Sequence, residues 1–316
     1  MTQVQISIVI PLYNKAPYIK RAIDSVFAQT FQDFELVVVN DGSTDGSEKI
    51  VETYKDSRLK LLNRFSPSGE TAARNFGIRH ASADLIAFLD ADDRWNEKFL
   101  ETVLRLSKKY PDAGAYATSF IEKHSSGRFK QPIFWFIPKD RNWEGLIPEY
   151  FRSCVYGCSP VWSSAVAIPK KVFNDIGGFA EGVTRGGDLD MWARISLKYD
   201  IAFSRYIGAV YYKNVQGSSI KKYKCLEGYK IVDSLKHALD NSNFSVYRTR
   251  YIKEYANKFI LGSAAQCIKA GEIQLAKKHL RNCHTKRFFG RKIFLVLSVA
   301  LYCQKKDYLS RDGRRI

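Results

Sequence analysis

Phosphate-cradling glycine loops are missing from this chain of 316 residues: no GxGxxG follows the first apolar run, and no GxxxxGK[ST] occurs anywhere. That disfavours a dinucleotide-binding fold and a P-loop, since both hold phosphates on the backbone of such a loop. No stretch reaches the roughly 20 apolar residues of a transmembrane helix. The opening MTQVQISIVI has neither a basic start nor a cleavable apolar segment, which predicts a chain that no signal peptide exports. The six cysteines form no CxxC pair, and Cys154 and Cys158 lack a second ligand pair. Zinc is therefore disfavoured, and buried or reduced thiols in a cytosolic compartment are expected. Acidic residues are scarce in one part only. Residues 217–316 hold 22 Lys and Arg against 7 Asp and Glu, whereas residues 1–216 hold 28 against 25.

What is present begins with LIAFLDADDRW, residues 85–95, an apolar run that ends abruptly in Asp90, Asp92 and Asp93. The run reads as a buried strand. Three carboxylates at its end repel one another and resist desolvation, and a cation would offset both costs. Carboxylate oxygens suit Mg²⁺ or Mn²⁺, often shared with a substrate's phosphates. Taken alone, the same pattern also describes a solvated acidic turn. Two more buried strands are expected at ISIVIPLYN (6–14), stopped by Pro11, and FELVVVN (34–40), which leads into Asp41. Helical spacing recurs at 16–30 and 68–82, and Ser43 and Thr44 are placed to cap a helix through Val51. The order β-α-β-α-β-α-β predicts an α/β fold with a doubly wound, mostly parallel sheet, which binds ligands at the carboxyl ends of its strands. Asn14, Asp41 and the Asp90–Asp93 cluster all fall at such ends. Tyr13 can stack on a base, Asp41 can accept from a base or ribose, and Arg74 can pair with a phosphate.

At these residues the chain resembles glycosyltransferase family 2, whose members have the nucleotide-sugar-binding GT-A fold. The matching stretches are IPLYN, VVVNDGSTDGS, ARNFGI, FLDADD, GGF (177–179) and GGDLDMWAR (186–194), in the family's order across residues 4–195. The resemblance implies that Pro11, Tyr13 and Asp41 hold the nucleoside and that Arg74 lies near the phosphates. It implies that Asp90 lies near the ribose and that Asp92 carries the metal on the diphosphate, with Asp93 as the alternative ligand. Asp188 matches the acid that supplies the base, Asp190 is the alternative, and Trp192 would border the acceptor. Two departures stand out: Gly187 replaces the family's Glu before Asp188, and Val215 stands where a His often precedes Gly-Ser. No Gln-x-x-Arg-Trp motif occurs between 200 and 230, which reads as a non-processive enzyme.

The expectation is an inverting, metal-dependent glycosyltransferase. It would move a sugar from a nucleotide-diphosphate sugar, UDP-sugar favoured, to a hydroxyl of a glycan or lipid-linked acceptor in surface polysaccharide synthesis. The rival is a non-catalytic nucleotide-sugar or glycan-binding module with the same fold. The expected domains are 1–216, catalytic, and 217–316, basic and mainly helical, with Gly271 between two helices. In KRFFGRKIFLVLSVALYCQKK (286–306) basic residues flank the apolar stretch Ile293–Tyr302. That pattern suits contact with an anionic membrane surface, or a buried helix. No nucleic-acid motif accompanies the charge, so no nucleic-acid partner is expected. The expected location is the cytoplasm, peripheral at the inner face of the cell membrane.

Overall fold

The computed structural model describes residues 4–64, 66–183, 185–213 and 228–312, with 303–312 described by backbone alone. The chain forms two compact units, Met1–Ser218 and Ser219–Ile316. The first unit opens with β1 (Ile6–Leu12), α1 (Ala16–Phe27), β2 (Phe34–Asn40), α2 (Ser47–Glu52), β3 (Leu59–Asn63), α3 (Glu70–His80) and β4 (Leu85–Phe88). Strands β1, β2 and β4 are buried at every residue, as strands inside a covered parallel sheet are. They pair in the order β3-β2-β1-β4, all parallel. Helix α3 lies close against this quartet at Gly77, where an added Cβ would sit 2.4 Å from Val9 Cγ1.

The unit continues with β5 (Arg94–Trp95), α4 (Phe99–Lys109), β6 (Ala115–Lys123), β7 (Phe129–Lys130), β8 (Glu144–Leu146), α5 (Tyr150–Tyr156), β9 (Val166–Pro169), α6 (Lys170–Ile176), α7 (Gly187–Lys198) and β10 (Ile201–Tyr212). Strand β9 pairs antiparallel with both β4 and β6. Strand β6 therefore runs in the direction of β1–β4, and so does β10, its parallel partner. The carboxyl ends of β1, β2, β4, β6 and β10 consequently share one rim.

Two local expectations shift. Pro11 does not stop β1, which pairs with β2 through Leu12. Val9 O accepts from Leu89 N, and Leu12 O accepts from Asp41 N. By alternation the ring nitrogen of Pro11 faces the side where β4 has already ended, so no ladder bond is lost. Ser43 and Thr44 do not cap α2 either. Asp45 accepts from Ser47 N at 3.0 Å and Gly46 takes the left-handed cap conformation, while Asn14 engages Ser43 and Thr44.

The second unit is helical: α8 (Lys230–Asn241), α9 (Val246–Ala270), α10 (Ile273–Arg281) and α11 (Phe289–Asp312). Gly271, at φ +80°, ends α9 in the left-handed conformation that closes many helices. Glu254 of α9 is buried and accepts from Thr285 Oγ1 and from the backbone N–H groups of Lys286 and Arg287, which pins the approach to α11. Helix α11 buries Leu295 and Val299 and exposes Phe289, Ile293, Phe294, Val296, Leu297 and Leu301. At 100° per residue these six span roughly 160° of its circumference, and Tyr302, also exposed, falls outside that arc. No helix among the described residues is long and apolar enough to cross a membrane. Cys154, Cys158 and Cys283 are free, and the buried Cys267 is disulfide-bonded.

Candidate active site

Asparagines tie together the strand ends that carry the site. Asn14, just past β1, accepts from Thr44 N at 2.8 Å and donates its own N–H to Ser43 Oγ at 3.1 Å. Asn40 of β2 accepts from Ser43 N at 3.0 Å and donates to Asn63 of β3 at 2.9 Å. Beside them Asp41 is buried. It accepts from Ser68 N and Gly69 N at 3.1 and 2.8 Å and pairs with Arg64 at 3.0 Å, fixing the loop that enters α3.

Helix α3 then delivers Arg74 to the rim. Its side chain is 1% exposed and pairs with Asp90 at 2.6 Å and with Glu70 one turn earlier. Its Nε is buried with no hydrogen-bond partner among the described residues. A buried guanidinium with an unused donor suits a phosphate oxygen, which could accept from that fork. Asn75, the next residue, grips the 177–179 loop: it donates to Phe179 O at 2.8 Å and accepts from Phe179 N at 2.9 Å. Gly178 is required there, because a Cβ would meet Asn75 Oδ1 at 2.6 Å. Two motifs separated by about a hundred residues are thus one structural joint.

The acidic turn divides its carboxylates between different tasks. Asp93 is fully buried. It accepts from Ser164 Oγ at 2.5 Å, from Tyr212 N at 3.1 Å and from Trp162 Nε1 at 3.4 Å. Ser164 Oγ in turn accepts from Asp90 N at 3.1 Å. Asp90 and Asp92 stay partly exposed at the rim, and Asp92 pairs with Lys15 Nζ at 2.5 Å. Arg21 stacks on Tyr212 at 3.5 Å and donates to the carbonyl of Asp92, which ties the turn to β10.

Asp188 lies in the first turn of α7, two residues beyond the left-handed cap Gly186, and so is not the cap itself. It is partly exposed and receives Ser163 Oγ at 3.5 Å. Burial pushes its carboxyl up, Arg74 pulls it down, and Asp90 adds a further upward push. Arg74 also pulls Glu70 down, but desolvation and the charges of Asp90, Asp188 and Asp92 outweigh it and push Glu70 up to about 7. Glu70 keeps 52% of its side chain exposed, so the neighbouring carboxylates weigh more than burial in this upward push. Desolvation, then Asp90 and Asp92, hold Asp93 well above the usual carboxylate range.

The structure thus brings Arg74, Asp90, Asp92 and Asp188 to one rim, with Tyr13 exposed and Pro11 buried beside it. It places three expected site residues differently. Asp190 is fully buried and pairs with Arg194 at 2.8 Å, and Arg194 holds the carbonyls of Ile176 and Gly178. Trp192 is fully buried against Phe179, in the core and not at the rim. Asp93 gives its oxygens to the three internal donors named above. Val215 and its neighbours Asn214, Gln216 and Ser218 lie outside the described residues. Lys15, Glu70 and Ser163 join the site without having been read from the sequence; a lysine directly after IPLYN was the one available signal.

A divalent cation fits this donor set in one way. Among the described residues no group of three or more His, Cys, Asp or Glu side chains could hold a metal by itself. Asp90 and Asp92 instead suit coordination shared with a diphosphate, as Mg²⁺ prefers.

Comparison with known proteins identifies the family and the fold. The family model described as Glycosyl transferase family 2 matches residues 7–177, and the chain belongs to that family. An uncharacterized glycosyltransferase of Rickettsia felis is 32% identical over 209 residues, covering 64% of this chain and 33% of that protein. A UDP-Glc:alpha-D-GlcNAc-diphosphoundecaprenol beta-1,3-glucosyltransferase of Escherichia coli, WfgD, is 36% identical over 129 residues, covering 40% of this chain and 51% of that protein. The match therefore spans only a third of the Rickettsia protein and about half of WfgD. Among solved structures, S. aureus TarS 1-349 in complex with UDP-GlcNAc has a TM-score of 0.68 at 20% identity, covering 98% of this chain and 92% of that one. The mannosyltransferase PcManGT from Pyrobaculum calidifontis, in complex with GDP-Man and Mn²⁺, has a TM-score of 0.59 at 18% identity, covering 94% and 86%. At such identities the likeness shows the fold, and it is the expected GT-A sheet with a helical C-terminal region.

Proposed function

We propose that residues 1–216 form an inverting, non-processive glycosyltransferase that takes its sugar from a nucleotide diphosphate, UDP favoured, and gives it to a hydroxyl of a glycan or lipid-linked acceptor. The observation that carries this reading is the meeting of Arg74, Asp90 and Asp188, from three elements, at one strand-end rim. Arg74 stabilises charge on the leaving diphosphate. Asp90 orients the donor beside it. Asp188 accepts the acceptor's proton as the hydroxyl attacks the anomeric carbon, and its raised affinity for protons suits a base. A single such carboxylate suits one displacement with inversion; hydrolases use a pair for a different task. A bound Mn²⁺ or Mg²⁺ would neutralise diphosphate charge, with Asp92 as its protein ligand. UDP-GlcNAc in the TarS structure and the diphosphoundecaprenol in the name of WfgD support a UDP-sugar donor and a lipid-linked acceptor of the kind used for surface polysaccharide. The basic region 217–316 would then keep the enzyme at an anionic membrane face.

The test is a thermal-shift panel of UDP-, GDP- and dTDP-sugars, followed by hydrolysis and transfer assays with Mn²⁺. Asp188→Asn should retain the donor-induced shift and lose turnover by a factor on the order of 10²–10⁴. For the wild type, kcat/KM should rise with pH as Asp188 loses its proton, through a midpoint above the ordinary Asp range. Donor binding with neither hydrolysis nor transfer would establish the non-catalytic binding module instead.

A further inference from the structure

The chain between β6 and α5 carries an aromatic feature that the transfer chemistry does not use. It begins at the carboxyl end of β6, on the same edge as Asp90 and Asp92, and turns back through β7, antiparallel to β6, to run alongside β6 and β10. Ile133, Trp135 and Phe136 are 66%, 49% and 36% exposed. Between them Phe134 points inward and packs on Phe120 and Phe203 at 5.9 and 5.5 Å. Burying large rings is favourable, so three exposed large apolar side chains in one short segment call for an explanation.

The segment is rigidly built. Phe136 holds φ at +62°, a backbone state costly for a bulky residue and concentrated at functional sites. The Arg152 guanidinium covers the Phe136 ring at 3.6 Å, and Tyr156 meets its edge at 5.3 Å. Gly157 leaves room for Trp135: a Cβ there would lie 2.7 Å from Trp135 Cδ1. Arg205 donates to the carbonyls of Pro138 and Ile137 at 2.7 and 2.9 Å and clamps the exit. A continuous aromatic course joins the feature to the acidic turn. Phe134 touches Phe120, Phe120 stacks on Trp162 at 5.4 Å, and Trp162 donates to Asp93.

Strands β1, β2 and β4 offer the nucleotide-binding groups, so the β6 side of the rim is left for the second substrate. The geometry points to Trp135 and Phe136, with Ile133, as a platform that stacks a pyranose ring of the acceptor glycan, upstream of the hydroxyl that reacts. A pyranose presents one apolar C–H face and a polar edge. Preordered ring faces with a guanidinium alongside match that division, and they hold a sugar without a large ordering cost. This assignment rests on reading the rim as a glycosyl-transfer site.

Saturation-transfer NMR and intrinsic tryptophan fluorescence, with di- and trisaccharides of glucose, N-acetylglucosamine, galactose and mannose at millimolar concentration, test it. At least one saccharide should bind the wild-type protein. Trp135→Ala should weaken that binding roughly three- to tenfold, the range for losing one stacked ring. Trp135→Phe should recover most of it, and UDP binding should stay unchanged in both variants. No saccharide binding to a protein that binds UDP overturns the platform, as does equal binding by the wild type and both variants. Loss of UDP binding in the wild type, with saccharide binding intact, would instead count against the donor site. A Trp135-dependent attachment to neutral lipid vesicles without saccharide binding would assign the feature to a bilayer and refute the sugar platform.

Discussion

At the scale of the residue, the acidic turn shows how equal side chains acquire unequal work. Asp93 meets three donors from the β9 and β10 side and becomes a fastener, while Asp92, one residue earlier, meets an ammonium at the rim. The choice between them was open in the sequence, because spacing alone does not say which carboxylate turns inward. Lys15 was invisible for a similar reason: its partner is 77 residues away, and only the joined ends of β1 and β4 bring the two together. Lys15 engages only one of the two carboxylate oxygens of Asp92, and the other would be the one to hold a cation. Asp92→Asn is accordingly expected to abolish the Mn²⁺-dependent gain in UDP affinity, read by calorimetry with and without EDTA, while metal-free UDP binding persists. If the gain survives in Asp92→Asn and disappears in Asp93→Asn, the ligand is Asp93.

Among the elements, those legible in advance were the ones whose burial pattern repeats. The fully buried runs of β1, β2 and β4 and the one-sided face of α1 follow from hydrophobic spacing. Boundaries set by single contacts did not: β1 passes through Pro11, and α2 is begun by Asp45 and Gly46. Trp192 stands four residues after Asp188 and so on nearly the same side of α7, but its ring is turned into the core against Phe179, which the sequence spacing does not reveal. Gly187 is now explained as packing. A Cβ there would lie 2.5 Å from Thr71 Cγ2, so α7 approaches α3 more closely than any side chain at this position allows. Gly187→Ala should cost about 1–3 kcal/mol of stability, as overpacking usually does. Thr71→Ser, which deletes the offending methyl, should restore much of it in a double-mutant cycle followed by urea denaturation. Simple additivity of the two changes would show that α3 and α7 do not press on each other there.

For the whole molecule, the uneven charge and the bare face of α11 belong together. The sequence left open whether Ile293–Tyr302 is a core helix or a surface one. Leu295 and Val299 are buried while the rest of the apolar set faces outward, so it packs on one side only. With Lys286, Arg287, Arg291 and Lys292 at its head, that outward side suits a leaflet of anionic lipid. Vesicle flotation should show binding to anionic vesicles that weakens with salt, and weakens again when those four residues become Gln. Equal partitioning onto neutral vesicles by both proteins would refute the contact. The same bare face also governs behaviour away from any membrane. At low ionic strength the net charge of +18 keeps copies of the protein apart. Added salt removes that mutual repulsion but leaves the greasy arc of α11 untouched, so concentrated salt should turn a well-dispersed solution into a clustering one.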